Sequence, residues 1–144
     1  MTPEVVVKSF FKEIRSGKNL HLASQFMAEK VIAHQVQAEH EIYVERSPEE
    51  YANHVQEMLE AYGQFTVDIQ ELISQQNRVY VRWKQTGIHI GEVDGFEPTG
   101  LPVIELASAV YRVEDGKIVE YWIQIDRAGI TAQLEKNSEK KEPI

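Results

Sequence analysis

The hydrophobic rhythm of this chain changes once, and that change limits what it can fold into. Up to Gly63 most apolar residues recur at helical spacing; beyond it they alternate with polar ones. Thr2-Pro3-Glu4 supplies a cap, a proline at the first helical position and an early acid, and Val6, Phe10, Phe11 and Ile14 form an inward stripe before Ser16-Gly17-Lys18-Asn19 stops the helix. A second short helix is expected over 20–27, with Leu22, Phe26 and Met27 inward, and a short strand over 31–36. Ser47-Pro48-Glu49-Glu50 has the form of a capping box, opening a helix that uses Tyr51, Val55, Met58, Leu59 and Tyr62 and ends at Gly63.

The second half reads as strands. Phe65, Val67 and Ile69 alternate with polar residues, as does 79–83, which 86–89 extends. Glycine and proline make 91–100 a loop, and strands follow over 103–113 and 118–125. The chain closes with a helical turn over 128–134 and a polar tail over 135–144. No strand–helix–strand alternation occurs, so the expected class is α+β: one domain over 1–134, with an antiparallel sheet curled over the N-terminal helices.

Composition narrows the partners. Fifteen Lys plus Arg against 23 Asp plus Glu leave a net charge of −8, a surface that repels phosphate backbones and anionic lipid. Neither nucleic acid nor a membrane is therefore expected. The chain has no cysteine, which removes disulfides, thiolate catalysis and thiolate metal sites. No early basic-then-apolar segment resembles a signal peptide, and no apolar run approaches the ~18 residues of a membrane span, so a cytoplasmic protein is expected.

Candidate site residues cluster around one hairpin. Asp115-Gly116 is a two-residue turn signal, and regular pairing across it sets Trp122 opposite Ala109 and Gln124 opposite Ala107. On the second strand Glu120, Trp122, Gln124 and Asp126 share one face. If that face is concave, Asp126 stands at the mouth of an apolar pocket, where desolvation suits a carboxylate to proton abstraction. Asp126 equally fits the cap of the following helix. Gln124 can hold a carbonyl oxygen, two alanines opposite leave room for a ligand, and Tyr111 lies on the facing strand. Trp83 and Trp122 read as cavity walls or as plain core, and Arg82, alternating with Trp83, as an outward residue paired with an acid or at a dimer interface. His89 sits beside the glycine-rich loop, where it shapes the mouth. His34, His40 and His89 match no metal-ligand spacing, and no metal site is assigned; His21, His40 and His54 have no motif around them and read as structural or exposed.

Arg82-Trp83, Thr86-Gly87-Ile88-His89-Ile90-Gly91-Glu92, Pro98-Thr99-Gly100, Arg112, Asp115-Gly116-Lys117-Ile118, Glu120, Trp122, Asp126 and Gln133-Leu134 together resemble the SnoaL-like polyketide cyclase (ester cyclase) family of the nuclear-transport-factor-2-like superfamily. The resemblance is close over 79–134 and looser before it. It implies a cone-shaped α+β barrel (NTF2-like, cystatin-like), with N-terminal helices on a strongly curved antiparallel sheet around an internal pocket, and a homodimer. It also implies cofactor-independent, aldol-like acid/base chemistry of cyclase or isomerase type on a small apolar carbonyl compound. The aspartate matching Asp126 is the acid/base residue, and a histidine, here His34, assists with the developing oxyanion. Trp83, His89, Trp122, Gln124 and Tyr111 are the expected substrate contacts. Two departures stand out: residues 106–111 lack the histidine some cyclases carry on this strand, and Ile123 and Ile125 stand where many relatives are more polar. The superfamily scaffold also hosts non-enzymatic ligand-binding domains and dimeric adaptors, so both an enzyme and a binding module remain open at this level.

Overall fold

A computed structural model describes residues 1–35 and 42–141. The end of the expected strand at Val36, His40 and residues 142–144 of the expected tail lie outside the described residues. The elements run α1 (Pro3–Phe10), a short helix α2 (Ala23–Phe26), β1 (Met27–Gln35), β2 (Ile42–Arg46), α3 (Pro48–Tyr62), β3 (Thr66–Gln75), β4 (Arg78–Ile88), β5 (Pro102–Glu114), β6 (Lys117–Ile125) and α4 (Arg127–Lys141). The strands form one curved, unclosed sheet in the order β2-β1-β6-β5-β4-β3. Every pair is antiparallel except β1 with β6, so the expected antiparallel sheet contains one parallel seam.

Local chemistry accounts for the helices. The Thr2 hydroxyl accepts the Val5 N–H, and the Ser47 and Glu50 side chains satisfy each other's backbone N–H groups in a capping box. From Phe11 to Arg15 the first helix widens into a π-turn, with the Ser16 N–H reaching the Phe11 carbonyl at 3.1 Å. The extra residue per turn brings Phe11, Ile14 and Arg15 inward together. Gly17, at φ +80°, then reverses the chain against Leu59.

The core lies between the helices and the inner face of the sheet. Val6, Val7, Phe10, Phe11 and Ile14 pack against Val79, Val81, Trp83, Ala109, Tyr111 and Tyr121. The aromatic residues meet at 5–6 Å with tilted or edge-on rings, such as Phe11 on Trp83 at 5.1 Å and Phe10 on Tyr111 at 5.6 Å.

The hairpin departs from regular pairing. Asp115 and Gly116 both take positive φ, as a two-residue turn requires, and Glu114 pairs with Lys117 and Val113 with Ile118. One extra residue then enters β6, so that Arg112 pairs with Glu120 and Tyr111 with Tyr121. Trp122 therefore faces Val110 and Gln124 faces Ser108, instead of the expected Ala109 and Ala107. This β-bulge exchanges the two faces of the strand. Tyr121, Ile123 and Ile125 point inward; Glu120, Trp122 and Gln124 point outward.

The C-terminal helix also exceeds expectation, continuing to Lys141 instead of stopping near 134. Its anchors are side-chain amides as much as apolar contacts. The start of β5 extends beyond the end of β6, and the Gln133 amide takes the place of a neighbouring strand, accepting the Ile104 N–H and donating to the Ile104 carbonyl, both at 2.8 Å. Asn137 donates to the Pro102 carbonyl at 3.1 Å, and Leu134 is fully buried. Among the described residues no helix is long and apolar enough to cross a membrane.

Replacing Gln133 by Leu keeps the apolar bulk but strands both polar groups of Ile104, and we expect a loss of about 2 kcal/mol of unfolding free energy. Urea unfolding with an unchanged m-value checks this; an unaltered midpoint would show that solvent replaces the amide at no cost.

Candidate functional site

The inner face of the sheet, α3 and the start of α4 enclose a cavity of about 510 Å³. Its apolar walls include Met58, Val93, Ile123, Ile125 and Ile130. Three strands contribute through their inward period-2 sets: Gln35 from β1, Glu105 from β5, and Tyr121, Ile123 and Ile125 from β6. Tyr51, His54 and Met58 come from α3, and Arg46 from the end of β2.

The polar groups of this cavity centre on a buried ion pair. Arg15, brought inward by the π-turn, donates Nη2 to Glu105 Oε2 at 3.0 Å. The guanidinium carbon lies 5.5 Å from the Trp83 ring and 5.8 Å from that of Phe65, so aromatic faces flank the cation. Burial pushes the Tyr51 hydroxyl well above its ordinary value, although Arg15 pulls the other way. Tyr121 is raised by burial against the pull of Arg46 and Arg15, and Tyr62 is pushed up to about 12 by burial and by Glu105. All three hydroxyls are therefore protonated donors near neutral pH. His54 sits at the solvent-open side of the cavity; partial burial, then the charges of Arg46 and Arg15, lower its pKa and keep the imidazole neutral.

None of the seven residues singled out from the sequence lines this cavity. Trp83 and Tyr111 face inward but are buried core beneath it. His89 is fully buried, 3.5 Å from the Thr99 hydroxyl through Nδ1, and its backbone pairs with Gly100 and Leu101 to close the 91–100 loop. Trp122 and Gln124 lie on the outer face because of the bulge, and His34 lies there by the alternation of β1, whose Val31 and Ala33 are buried. There the His34 ring stacks on Trp122 at 4.9 Å, and its Nε2 meets Glu120 Oε2 at 2.7 Å. Arg112 donates Nε to the other Glu120 oxygen at 2.9 Å, and Arg78 covers the Trp122 ring at 4.9 Å. Burial pushes the Glu120 carboxyl up, but the hydrogen bonds from His34 and Arg112 outweigh it and hold the group below its usual range. Arg82 is outward, as expected, 3.9 Å from Glu71. Asp126 is exposed and caps α4, its Oδ1 accepting the Gly129 N–H at 3.0 Å. With Gln124 it borders a shallow outer depression of about 300 Å³.

The cavity residues were visible in the sequence only as exceptions. Glu105 is a lone charge on the otherwise apolar inward period of β5, two residues from Ala107. Arg15 follows Phe11 at i+4, on the stripe that buries the first helix.

The fold has counterparts among solved structures. A candidate polyketide cyclase of Acidithiobacillus ferrooxidans superposes with a TM-score of 0.81 at 23% identity, covering 94% of this chain and 95% of its own. IdmH of Streptomyces antibioticus, also a candidate polyketide cyclase, gives 0.79 at 26% identity over 94% and 99% of the two chains. An LEH-like epoxide hydrolase of M. tuberculosis shares the fold at 0.68 and 17% identity, over 94% and 90%. Among curated proteins no sequence matches this one. The model of the SnoaL-like polyketide cyclase family matches residues 5–134, the span that runs from the first helix to the buried Leu134 of α4. On that match, the chain belongs to the SnoaL-like polyketide cyclase family.

Proposed function

We propose that the cavity is an acid/base active site for a small carbonyl compound with an apolar body. The observation that carries this reading is Glu105, a carboxylate oriented by a buried guanidinium on the wall of a largely apolar chamber. Glu105 accepts an activated proton next to the carbonyl. The Tyr51 and Tyr121 hydroxyls, kept protonated by burial, donate to the oxyanion that forms. The enolate carbon then attacks a second carbonyl of the same molecule, or is reprotonated elsewhere, and Glu105 returns its proton. These are cyclase and isomerase outcomes of one first step, and neither calls for a cofactor. His54, neutral at the mouth, relays protons to solvent. Membership of the SnoaL-like family supports the reading.

We also propose that a second copy covers the outer sheet face, where Ile73, Leu106 and Tyr43 are exposed beside Trp122.

Deuterium incorporation into 2-tetralone, followed by NMR, tests the first step. Glu105→Gln should slow catalysed exchange by about 100-fold or more. Asp126→Asn should leave both rate and melting temperature near wild type, because asparagine caps a helix as well as aspartate does. The reverse pattern would transfer the acid/base role to Asp126, and no catalysed exchange in wild type would favour a ligand-binding module. In the pH profile the histidine's contribution to the acid limb should fall below the ordinary histidine value of 6.5, since the lowered pKa keeps His54 neutral until the pH drops further; His54→Gln should shift the midpoint of that limb without abolishing it. Sedimentation should show a dimer that Leu106→Glu dissociates, and a monomeric wild type would refute the second copy.

A further inference from the structure

Among the described residues, the inner end of the cavity carries more positive charge than its acids neutralise. Arg15 is only 4% exposed, and Nη2 alone is committed, to Glu105. Its Nη1 is buried with no hydrogen-bond partner among the described residues, and so is Arg46 Nε. Both arginines line the cavity, and both lie close enough to Tyr51 and Tyr121 to act on their hydroxyls electrostatically. They therefore share one end. The other acids on the lining, Glu57, Glu92 and Asp94, are exposed, as is Arg127. Among the described residues, the buried Arg15 and the half-buried Arg46 thus face one half-buried carboxylate, Glu105.

A buried cationic donor without a partner is costly, and a guanidinium offers parallel N–H groups that match a carboxylate. We infer that the ligand of this cavity is a monoanion, an apolar molecule bearing one free carboxylate held by Arg15 Nη1 and Arg46. The inference rests on the cavity being the substrate site and adds the class of compound that enters it: the free acid in preference to its ester. Glu105 already takes half of the Arg15 fork, which leaves an excess of one charge and matches one carboxylate rather than a dianion. The exposed acids on the lining oppose an incoming anion, an effect on association rate that salt screens; Arg15 and Arg46 set the affinity.

Calorimetric titration with 2-naphthoate and with methyl 2-naphthoate separates the classes, because the two differ in charge and scarcely in apolar body. Wild type should bind the acid about tenfold more tightly than the ester. Arg46→Gln should abolish that preference while leaving ester affinity unchanged, and Arg15→Met, if it folds, should abolish the preference as well. Equal binding of acid and ester, or a preference that survives Arg46→Gln, would overturn the inference, and so would binding of neither. The exchange assay on 2-tetralone, which has no carboxylate, stands or falls on Glu105, so the two readings fail separately.

Discussion

The register between β5 and β6 decides what this protein holds inside. A single extra residue beyond the Asp115-Gly116 turn shifts every later pair by one, and a one-residue shift moves a whole side-chain set to the other face. Tyr121, Ile123 and Ile125 become cavity wall, while Glu120, Trp122 and Gln124 become outer surface. β1 joins β6 in parallel through this rearranged segment: Ala33 and Gln35 face in beside Tyr121 and Ile123, and His34 stacks outside on Trp122. The bulge is therefore the point from which both the cavity and the outer aromatic–ionic cluster are set.

That dependence explains what was legible in the sequence. Elements whose signals are local read well: the Thr2-Pro3 and Ser47-Pro48 helix starts, the Gly63 stop, the Asp115-Gly116 turn and the alternation of β4 and β5. The family motif read well for the same reason, since it consists of turns and strand segments. What failed were consequences of pairing. Nothing in Lys117 to Tyr121 marks the bulged residue, because Val119 and Glu120 fit an ordinary alternating strand. The α4 continuation was hidden too: beyond Leu134 it is polar, and amide bonds to β5 hold it in place of an apolar stripe.

The residues of the cavity escaped the sequence reading for a related reason. Asp126 and His34 have the right chemistry at plausible strand positions, but face and exposure are properties of the sheet. Arg15 and Glu105 are ninety positions apart, and neither is unusual alone. They meet only because the π-turn rotates Arg15 inward and the inward period of β5 presents Glu105 to it. A buried charge is costly enough that each requires the other, so the pair fixes the first helix on the sheet while it polarises the cavity. The fold and the charge of the cavity share these two residues.

The amides of Gln133 and Asn137 carry a further consequence. The segment of β5 that extends past β6 presents unpaired backbone groups, a template on which another chain could add a strand and begin aggregation. Charged residues usually guard such edges, and that protection weakens with salt and with neutralisation. Here two uncharged side chains occupy the backbone groups directly. The edge stays closed whatever the pH or ionic strength, so this stretch does not depend on the charge of −8 to remain single.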